Sequence, residues 1–375
     1  MILKSWEVMS LLSSFGQTVK VSVFGGSHEP AIGVTIEGLP KGQKIDMDRL
    51  QRFLARRAPG NNAFSTDRKE PDIAIVKAGL HGGVTFGPPV TIIIENKDTN
   101  PSDYRTLKNI PRPSHADYTA RLKYGDQLNM SGGGPFSGRM TAPLCIAGAI
   151  AIQVLESHGI KIGAHIFSIA DIKDEPFDAV HISKEQLKRL ERDPFPVISE
   201  NAGLAMQEAI LVSRETGDSL GGVVECCAIG VPAGIGGPMY DGVESALSTV
   251  FFGIPAVKGV EFGAGFQSTR LKGSENNDAF YFDGEEESRI VKTKTNNHGG
   301  ILGGITSGMP IIARLAFKPT PSISLEQDSV DLETGQNTKL VITGRHDPCI
   351  VPRAVPVVEA AMAIGLLDLI LTSYY

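Results

Sequence analysis

The sequence predicts a mixed α+β protein, and three observations carry that prediction. Apolar, β-branched runs typical of strands occur at 17–24, 31–37, 72–79, 90–95, 222–230 and 309–317. Apolar residues at helical spacing occur at 46–57, 141–158, 184–192, 200–213, 242–251 and 354–369. The 42 glycines are clustered between these segments, which is typical of turns and ligand-binding loops.

The elements have individual start signals and one internal echo. Asp46 is expected to cap the first helix and Ser199 the fourth. GGVTFGPP (82–89) and GGITSGMP (303–310) share one pattern, and each leads into an apolar strand. Chance similarity between two Gly-rich turns and a duplicated core unit both explain this echo. Composition does not shift enough along the chain to divide it in two, so a single domain is predicted.

Composition limits the class of function. The 375 residues are 41% hydrophobic and carry a formal net charge of -6, which argues against a generic nucleic-acid or membrane-surface binder. An anionic ligand would therefore need a local positive patch. We expect no apolar run long enough to span a bilayer, no signal peptide and a cytoplasmic location. The four cysteines lack C-x-x-C spacing, so we expect reduced, mostly buried thiols and no metal site.

Two segments place a histidine where proton transfer is possible. FGGSHEPAIG (24–33) puts His28 after a glycine pair at the end of a strand, and histidine exchanges protons near neutral pH. A turn that merely contains a histidine explains this segment equally well. RPSHADYTARLKYG (112–125) combines His115 with several cations. It is interpreted as an anion-binding loop, with a solvated helix start as the alternative.

Four further segments have the chemistry of anion sites. NMSGGGPFSGR (129–139) can form a nest of backbone N–H groups before a helix, which suits phosphate. AFKPTPS (316–322) follows a strand and is stiffened by two prolines. It carries Lys318 and two hydroxyls, which suit a phosphate tail or a flavin edge. GRHDPCIVPRAVPVVEA (344–360) crowds charges before a helix, and the arginines and lysine of RRAPGNNAFSTDRKEPD (56–72) can clamp an anion. Together the segments predict an enzyme for a multiply anionic small molecule.

In order, these segments resemble the chorismate synthase family from about Phe15 to Ile370. The matching blocks are FGGSHEPAIG, RRAPG, RPSHADYT, SGGG–S–R, GGILGGITSG, KPTPS and GRHDPCIVPRAVPVVEA. The resemblance implies a β-α-β sandwich with internal pseudo-twofold symmetry, assembled as a homotetramer. It implies a carbon–oxygen lyase that converts 5-enolpyruvylshikimate 3-phosphate to chorismate and phosphate by 1,4-anti elimination. Reduced FMN is the implied cofactor, with NADPH as a possible reductant.

The resemblance also implies roles for individual residues. His28 would protonate the departing phosphate, His115 would set the protonation of the reduced flavin, and Asp347 would assist the flavin in removing the C6 proton. The implied substrate-binding residues are Ser27, Arg57, Arg112 and Arg139. The implied cofactor-binding residues are Pro135, Phe136, Ser137, Pro255, Ala256, Gly303, Lys318, Pro319, Thr320, Pro321, Ser322 and Arg345.

The chain departs from the family pattern at several of these blocks. Family members usually have other residues at the positions of Gly26, Glu29, Ala58, Ala63, Pro135, Phe136, Met140 and Pro255. A non-catalytic flavin- or anion-binding paralogue is therefore the competing hypothesis. A phosphatase or kinase is disfavoured because no nucleotide loop or metal cluster is evident. The resemblance implies a single domain over residues 15–375. Residues 1–14 fall outside the match and are interpreted as an N-terminal extension, with Met9 as the hypothetical natural start.

Overall fold

The computed structural model describes residues 13–60, 70–97, 109–125, 128–342 and 346–373, except the side chain of Glu287. The strands are β1 (Ser13–Phe15), β2 (Lys20–Gly25), β3 (Ala31–Glu37), β4 (Ile75–Ala78), β5 (Leu80–His81), β6 (Val84–Thr85), β7 (Val90–Glu95), β8 (Lys161–Ile169), β9 (Ile172–Lys173), β10 (Gly222–Ile229), β11 (Val257–Phe262), β12 (Phe280–Asp283), β13 (Ile290–Thr293), β14 (Ile301–Leu302), β15 (Ile305–Thr306), β16 (Ile311–Phe317), β17 (Gln327–Asp331) and β18 (Gln336–Leu340). The helices are α1 (Met47–Arg57), α2 (Asp117–Tyr124), α3 (Thr141–Ser157), α4 (Lys184–Arg192), α5 (Glu200–Glu215), α6 (Val243–Phe252), α7 (Gly273–Asn276) and α8 (Val351–Ser373).

Two antiparallel sheets enclose a layer of helices. One sheet has the strand order β1-β2-β3-β7-β4 and the other β11-β16-β10-β8-β9. Helix α3 packs on β2, β3 and β7 of the first sheet, α8 packs on β8 and β10 of the second, and the two helices pack against each other. This is the α+β sandwich that the resemblance implied, with the apolar core between the sheets.

The two halves of the chain repeat one topology. In chain order, β2, β3, α1, β4, the β5–β6 hairpin, β7 and α3 correspond to β8, β10, α6, β11, the β14–β15 hairpin, β16 and α8. The β5–β6 and β14–β15 hairpins each use one threonine hydroxyl to make the same pair of hydrogen bonds. The Thr85 hydroxyl donates to Pro40 O at 2.6 Å and accepts from Gln43 N at 2.9 Å, while Thr306 does the same with Pro232 O and Ile235 N at 2.6 and 2.9 Å. These shared contacts favour duplication over chance as the origin of the sequence echo.

Helices α3 and α8 form the centre of the molecule. By length and mean hydropathy, Gly138–Ser157 and Val351–Ser373 are apolar enough to cross a membrane, so the expectation of no such run was wrong. The apolar windows of these two helices are 78% and 83% buried inside the fold, which is the pattern of core helices. They approach closely at Gly148, where an added Cβ would overlap the Cα and Cβ of Ala360.

The predicted elements exist, with two kinds of difference. Asp46 caps α1 by accepting from Arg49 N at 2.9 Å, whereas Ser199 precedes α5 without a side-chain cap bond. Strand β8 was not evident from the sequence because it is buried along most of its length and lacks polar alternation. All four cysteines are buried and free, and adjacent Cys226 and Cys227 belong to different core clusters.

A buried charge cluster lies on the second sheet, among residues that do not line the cavity described below. His165 on β8 is fully buried, with Nδ1 3.0 Å from Asp174 Oδ2 and Nε2 2.9 Å from Glu225 Oε2. Arg314 on β16 donates from Nε to Glu225 Oε1 at 2.8 Å. Because both imidazole nitrogens face carboxylate oxygens, the ring must donate from both and is an imidazolium.

Candidate active site

A cavity of about 900 Å³ opens between the loops of the two halves. Its lining includes Arg57, Arg112, His115 and Arg139 from the first half and Lys318, Thr320 and Asp347 from the second. Among the described residues, seven lysines and arginines and two carboxylates line it, namely Arg57, Arg112, Lys123, Arg139, Lys258, Lys318, Arg353, Glu70 and Asp347. The expected local positive patch therefore exists in an otherwise acidic protein.

Two buried arginines share one buried aspartate at the inner wall. Asp72 Oδ2 accepts from Arg57 Nη1 at 2.8 Å, and Asp72 Oδ1 pairs with Arg139 Nη1. Arg57 also donates to the Thr141 hydroxyl and to Gly138 O, both at 3.0 Å. Burial, together with the charge of nearby Arg353, lowers the pKa of Arg57. Both guanidinium groups are fixed from behind, so their positions do not depend on a ligand.

Arg112, His115 and Asp117 form a second fixed group. Arg112 donates to Asp117 through Nε at 2.7 Å and Nη2 at 2.8 Å, and through Nη1 to the Ser322 hydroxyl at 3.2 Å. His115 Nδ1 lies 2.6 Å from Asp117 Oδ1. Burial would raise the pKa of Asp117, but hydrogen bonds from Arg112 and His115 hold it well below its usual range. The carboxylate is therefore charged at neutral pH.

The glycine-rich segment 131–134 lies against both predicted catalytic histidines. Gly132 and Gly133 have φ of +62° and +89°, which side chains rarely adopt. A Cβ at Gly132 would overlap the His28 ring and approach the Ser27 hydroxyl at 2.9 Å. A Cβ at Gly133 would lie 3.3 Å from His115 Nε2. The glycines thus let one backbone segment approach both imidazoles.

The second half contributes a strand exit and a strained loop. Lys318, directly after β16, donates from Nζ to Ser114 O at 2.6 Å, and burial and nearby Lys258 lower its pKa. Ala256 has φ of +74° and accepts from Lys318 N at 3.0 Å. Five non-glycine residues of the described chain have clearly positive φ, and Asp72, Ser114 and Ala256 are among them. Such strain concentrates at functional sites.

His346 and Asp347 complete the cavity beside helix α8. Asp347 pairs with Arg353 of α8, whose Nε donates to Arg57 O at 3.0 Å. His346 Nε2 is buried and has no hydrogen-bond partner among the described residues. Burial, with the charge of Arg112, lowers the pKa of His346. A neutral imidazole therefore borders the cavity, with a ring nitrogen that no described residue bonds.

Most of the predicted site residues meet at this cavity. Its lining includes His115, Asp347, Arg57, Arg112, Arg139, Pro135, Phe136, Ser137, Pro255, Ala256, Lys318, Thr320, Pro321 and Ser322. Ser27 and His28 lie behind Gly132, which lines the cavity, while Pro319 and Gly303 are not in the lining and Gly303 belongs to the β14–β15 turn. Arg345, Ala63 and nearly all of the 1–14 extension fall outside the described residues.

Two sequence interpretations need correction, and some lining residues were missed. The segment 112–125 contains helix α2 rather than only a loop, because Ala120 packs inward while the other helical residues stay exposed or half-exposed. Arg56 pairs with buried Glu359 and does not line the cavity, so of these two adjacent arginines only Arg57 is placed to bind an anion there. Lys258 and Phe252 were missed, and the only sequence signal was their position on either side of the Gly/Pro segment that contains Ala256.

The donor set fits a flavin mononucleotide. The volume lies in the range of small-molecule sites, and apolar residues such as Phe136, Ile254 and Val257 line the cavity beside the cations. Thr320 Oγ1 is buried and has no hydrogen-bond partner among the described residues. Apolar wall, cations and unused polar atoms together match a planar ring that carries a phosphate.

Fold and site together define an enzyme for an anionic small molecule, and comparison with known proteins identifies the family. A sequence model described as chorismate synthase matches residues 19–371. The chain is 45% identical over 369 residues to a chorismate synthase of Lancefieldella parvula, covering 96% of both chains. It is 46% identical over 353 residues to one of Pyrococcus abyssi, covering 94% of this chain and 96% of the relative. The chain belongs to the chorismate synthase family.

A solved structure agrees with this assignment. The crystal structure of a chorismate synthase superposes with a TM-score of 0.73 at 27% identity, covering 96% of this chain and 93% of the other. The predicted fold class is confirmed by this match. The prediction of a lyase of this family is confirmed by the named relatives, and none of the comparisons favours a non-catalytic paralogue.

Proposed function

We propose that this chain converts 5-enolpyruvylshikimate 3-phosphate to chorismate and phosphate in the shikimate pathway, with reduced FMN as cofactor. The observation that supports this most is the convergence of His115, Asp347 and seven cationic side chains on one cavity in a member of this family. The substrate carries two carboxylates and a phosphate, so it needs such a positive wall. We further propose a cytoplasmic homotetramer that binds neither nucleic acid nor membrane.

The residues divide the work by position. Arg57 and Arg139, held by Asp72, and Arg112, held by Asp117, would bind the anionic groups of the substrate without rearranging. Lys318, Thr320 and Ser322 would hold FMN together with Ser137 and Ala256. When bound, reduced FMN supplies electron density to the substrate during elimination. Pro319, Gly303 and Arg345 remain predicted cofactor residues on resemblance alone.

Proton handling falls to the chain's own acids and bases. His28 would donate a proton to the departing phosphate, which lowers the cost of releasing a highly charged leaving group. His115 would hold or give a proton at Nε2, and Asp347 would accept one beside Arg353.

The test is an anaerobic turnover assay with chemically reduced FMN and 5-enolpyruvylshikimate 3-phosphate. We expect chorismate and phosphate in equal amounts. Tight FMN and substrate binding without chorismate would instead support the non-catalytic paralogue. A parallel reaction with NADPH as the sole reductant decides whether the chain reduces its own flavin.

The residue-level test is His115→Ala. Loss of a positioned proton donor or acceptor should lower kcat on the order of a hundredfold or more, with the circular dichroism spectrum unchanged. His181→Ala is the matched control, because His181 is exposed and does not line the cavity. Unchanged turnover in His115→Ala would remove this residue from the mechanism.

A further inference from the structure

We propose that Asp117 is a positioning residue that keeps a proton on Nδ1 of His115 and so presents Nε2 to the cavity. The inference rests on the proposed function, because it assigns the supporting group of a residue in that same site. Asp117 has no role assigned to it by the sequence motifs or by the family resemblance. The contacts of its carboxylate carry the argument.

The carboxylate of Asp117 is saturated by two neighbours. Oδ2 accepts from the backbone N of Arg112 at 3.0 Å and from Nε of Arg112 at 2.7 Å. Oδ1 accepts from Arg112 Nη2 at 2.8 Å and faces His115 Nδ1 at 2.6 Å. Two carboxylate oxygens have about four acceptor positions, and all four are used. Asp117 is therefore held in one orientation.

These distances decide where the proton of His115 lies. An Nδ1 without hydrogen would place its lone pair 2.6 Å from a charged oxygen, which is repulsive because a carboxylate can only accept. Arg112 Nη2 lies 3.0 Å from Nδ1 and has a second hydrogen besides the one it donates to Asp117 Oδ1, but the contact of Nδ1 with Asp117 Oδ1 is shorter, at 2.6 Å, and only a hydrogen on Nδ1 makes it attractive. The consistent assignment has Nδ1–H donating to Asp117. The hydrogen bond at one ring nitrogen thereby sets the state of the other.

The opposite edge of the ring is turned away from Asp117. His115 lines the cavity whereas Asp117 does not, and Nε2 lies beside Gly133, whose added Cβ would come within 3.3 Å of it. Asp117 and Arg112 both contact the ring at Nδ1, and Lys318 binds the carbonyl of adjacent Ser114 through Nζ. Since Arg112 neutralises Asp117, the carboxylate orients the ring without adding net negative charge.

The primary measurement is the tautomer of His115 in the full-length protein. Nitrogen-15 chemical shifts of histidine-labelled protein distinguish a protonated from a bare Nδ1, and His115→Gln assigns the signal. At a pH of about 8, where an ordinary imidazole is neutral, we expect hydrogen on Nδ1. A ring that is also protonated on Nε2 supports the proposal as well, whereas a bare Nδ1 in the wild-type protein overturns it.

The variant Asp117→Asn tests the cause. It keeps size and shape but removes the charge, so we expect the Nδ1–H fraction to fall and kcat to drop roughly tenfold to a hundredfold, as when the hydrogen-bond partner of a metal-binding histidine is removed. Asp283→Asn is the control, since its exposed carboxylate pairs with Lys292 outside the cavity. An unchanged His115 tautomer in Asp117→Asn overturns the proposal.

The two proposals fail separately. The tautomer is measured without substrate or flavin, so it stands even if the wild-type protein forms no chorismate. Conversely, normal chorismate formation with a bare Nδ1 would leave the proposed function intact and remove Asp117 as the positioning residue. If Asp117→Asn does not fold, the wild-type spectrum alone still decides the proton position.

Discussion

At the scale of single residues, carboxylates behind the cavity wall hold the guanidinium groups that line it. Asp72 and Asp117 are both covered, and each holds guanidinium groups of the wall. The sequence motifs predicted the arginines and His115, because these types recur in glycine- and proline-rich segments. Asp72 could not be predicted as a partner, since it meets Arg139 only after folding brings segments 67 residues apart together.

The first prediction concerns Asp72→Asn. The variant keeps the side-chain shape and tolerates φ of +45°, but leaves Arg57 and Arg139 without their shared carboxylate. Breaking a buried pair costs about 3–5 kcal/mol, so the free energy of unfolding in urea should fall by that amount. Asp328→Asn, which removes a pair with exposed Lys339, should leave it unchanged. A loss below about 1 kcal/mol would contradict the structural role of Asp72.

At the scale of elements, the helices followed from the sequence better than the strands. Helices α1 and α4 show strong periodicity and end within one residue of their predicted bounds. Strand β8 was missed because it is buried along most of its length. The hairpins β12–β13 and β17–β18 were missed because their strands are only four or five residues long and lie mostly at exposed or half-buried positions, so they give no long apolar run. Helix α8 begins three residues before its predicted start, at Val351.

The second prediction concerns the contact between α3 and α8. Gly148→Ala should destabilise the protein by about 1–3 kcal/mol, the usual cost of overpacking, although alanine favours helix more than glycine does. The added Cβ would overlap Ala360, so adding Ala360→Gly should restore only part of the loss because the Ala360 Cα is also in the way. Gly273→Ala is the control, as nothing lies within 4 Å of its added Cβ. Thermal unfolding measures all three, and a wild-type Tm for Gly148→Ala would contradict the close approach.

At the scale of the whole molecule, stability depends on pH through the buried His165 cluster. Burial alone would lower the pKa of His165, but the hydrogen bonds to Asp174 and Glu225 raise it. Burial likewise opposes ionisation of Asp174 and Glu225, yet their hydrogen bonds to His165 lower both pKa values. The imidazolium therefore contributes stability that is complete below the unfolded pKa of about 6.5 and is lost as pH rises through the folded pKa. The carboxylates contribute stability above about pH 4.5 that is lost in acid.

The third prediction follows from the raised pKa of His165. The difference in Tm between the wild-type protein and His165→Gln should be largest between about pH 5 and 6.5 and should shrink as pH rises toward 9. His158→Gln is the control, because His158 is exposed at the end of α3. A difference that does not change with pH would contradict an imidazolium at this position.

The sequence echo indicated the repeated architecture, whereas the place of the cavity within it was not predictable. Gly-Gly-x-Thr-x-Gly-x-Pro recurs because each hairpin needs a threonine hydroxyl to hold the loop before its helix. The repeat says nothing about where the two halves meet, since that depends on the packing of α3 against α8.

The position of the cavity has one consequence for energetics. Walls from both repeats, Arg112 on one side and Lys318 with Thr320 on the other, must close on the same occupant. A molecule bound there contacts both repeats. Separating the repeats would break those contacts, so its binding free energy adds to the free energy needed to separate them. A bound ligand should therefore make the two repeats unfold together in a single cooperative transition.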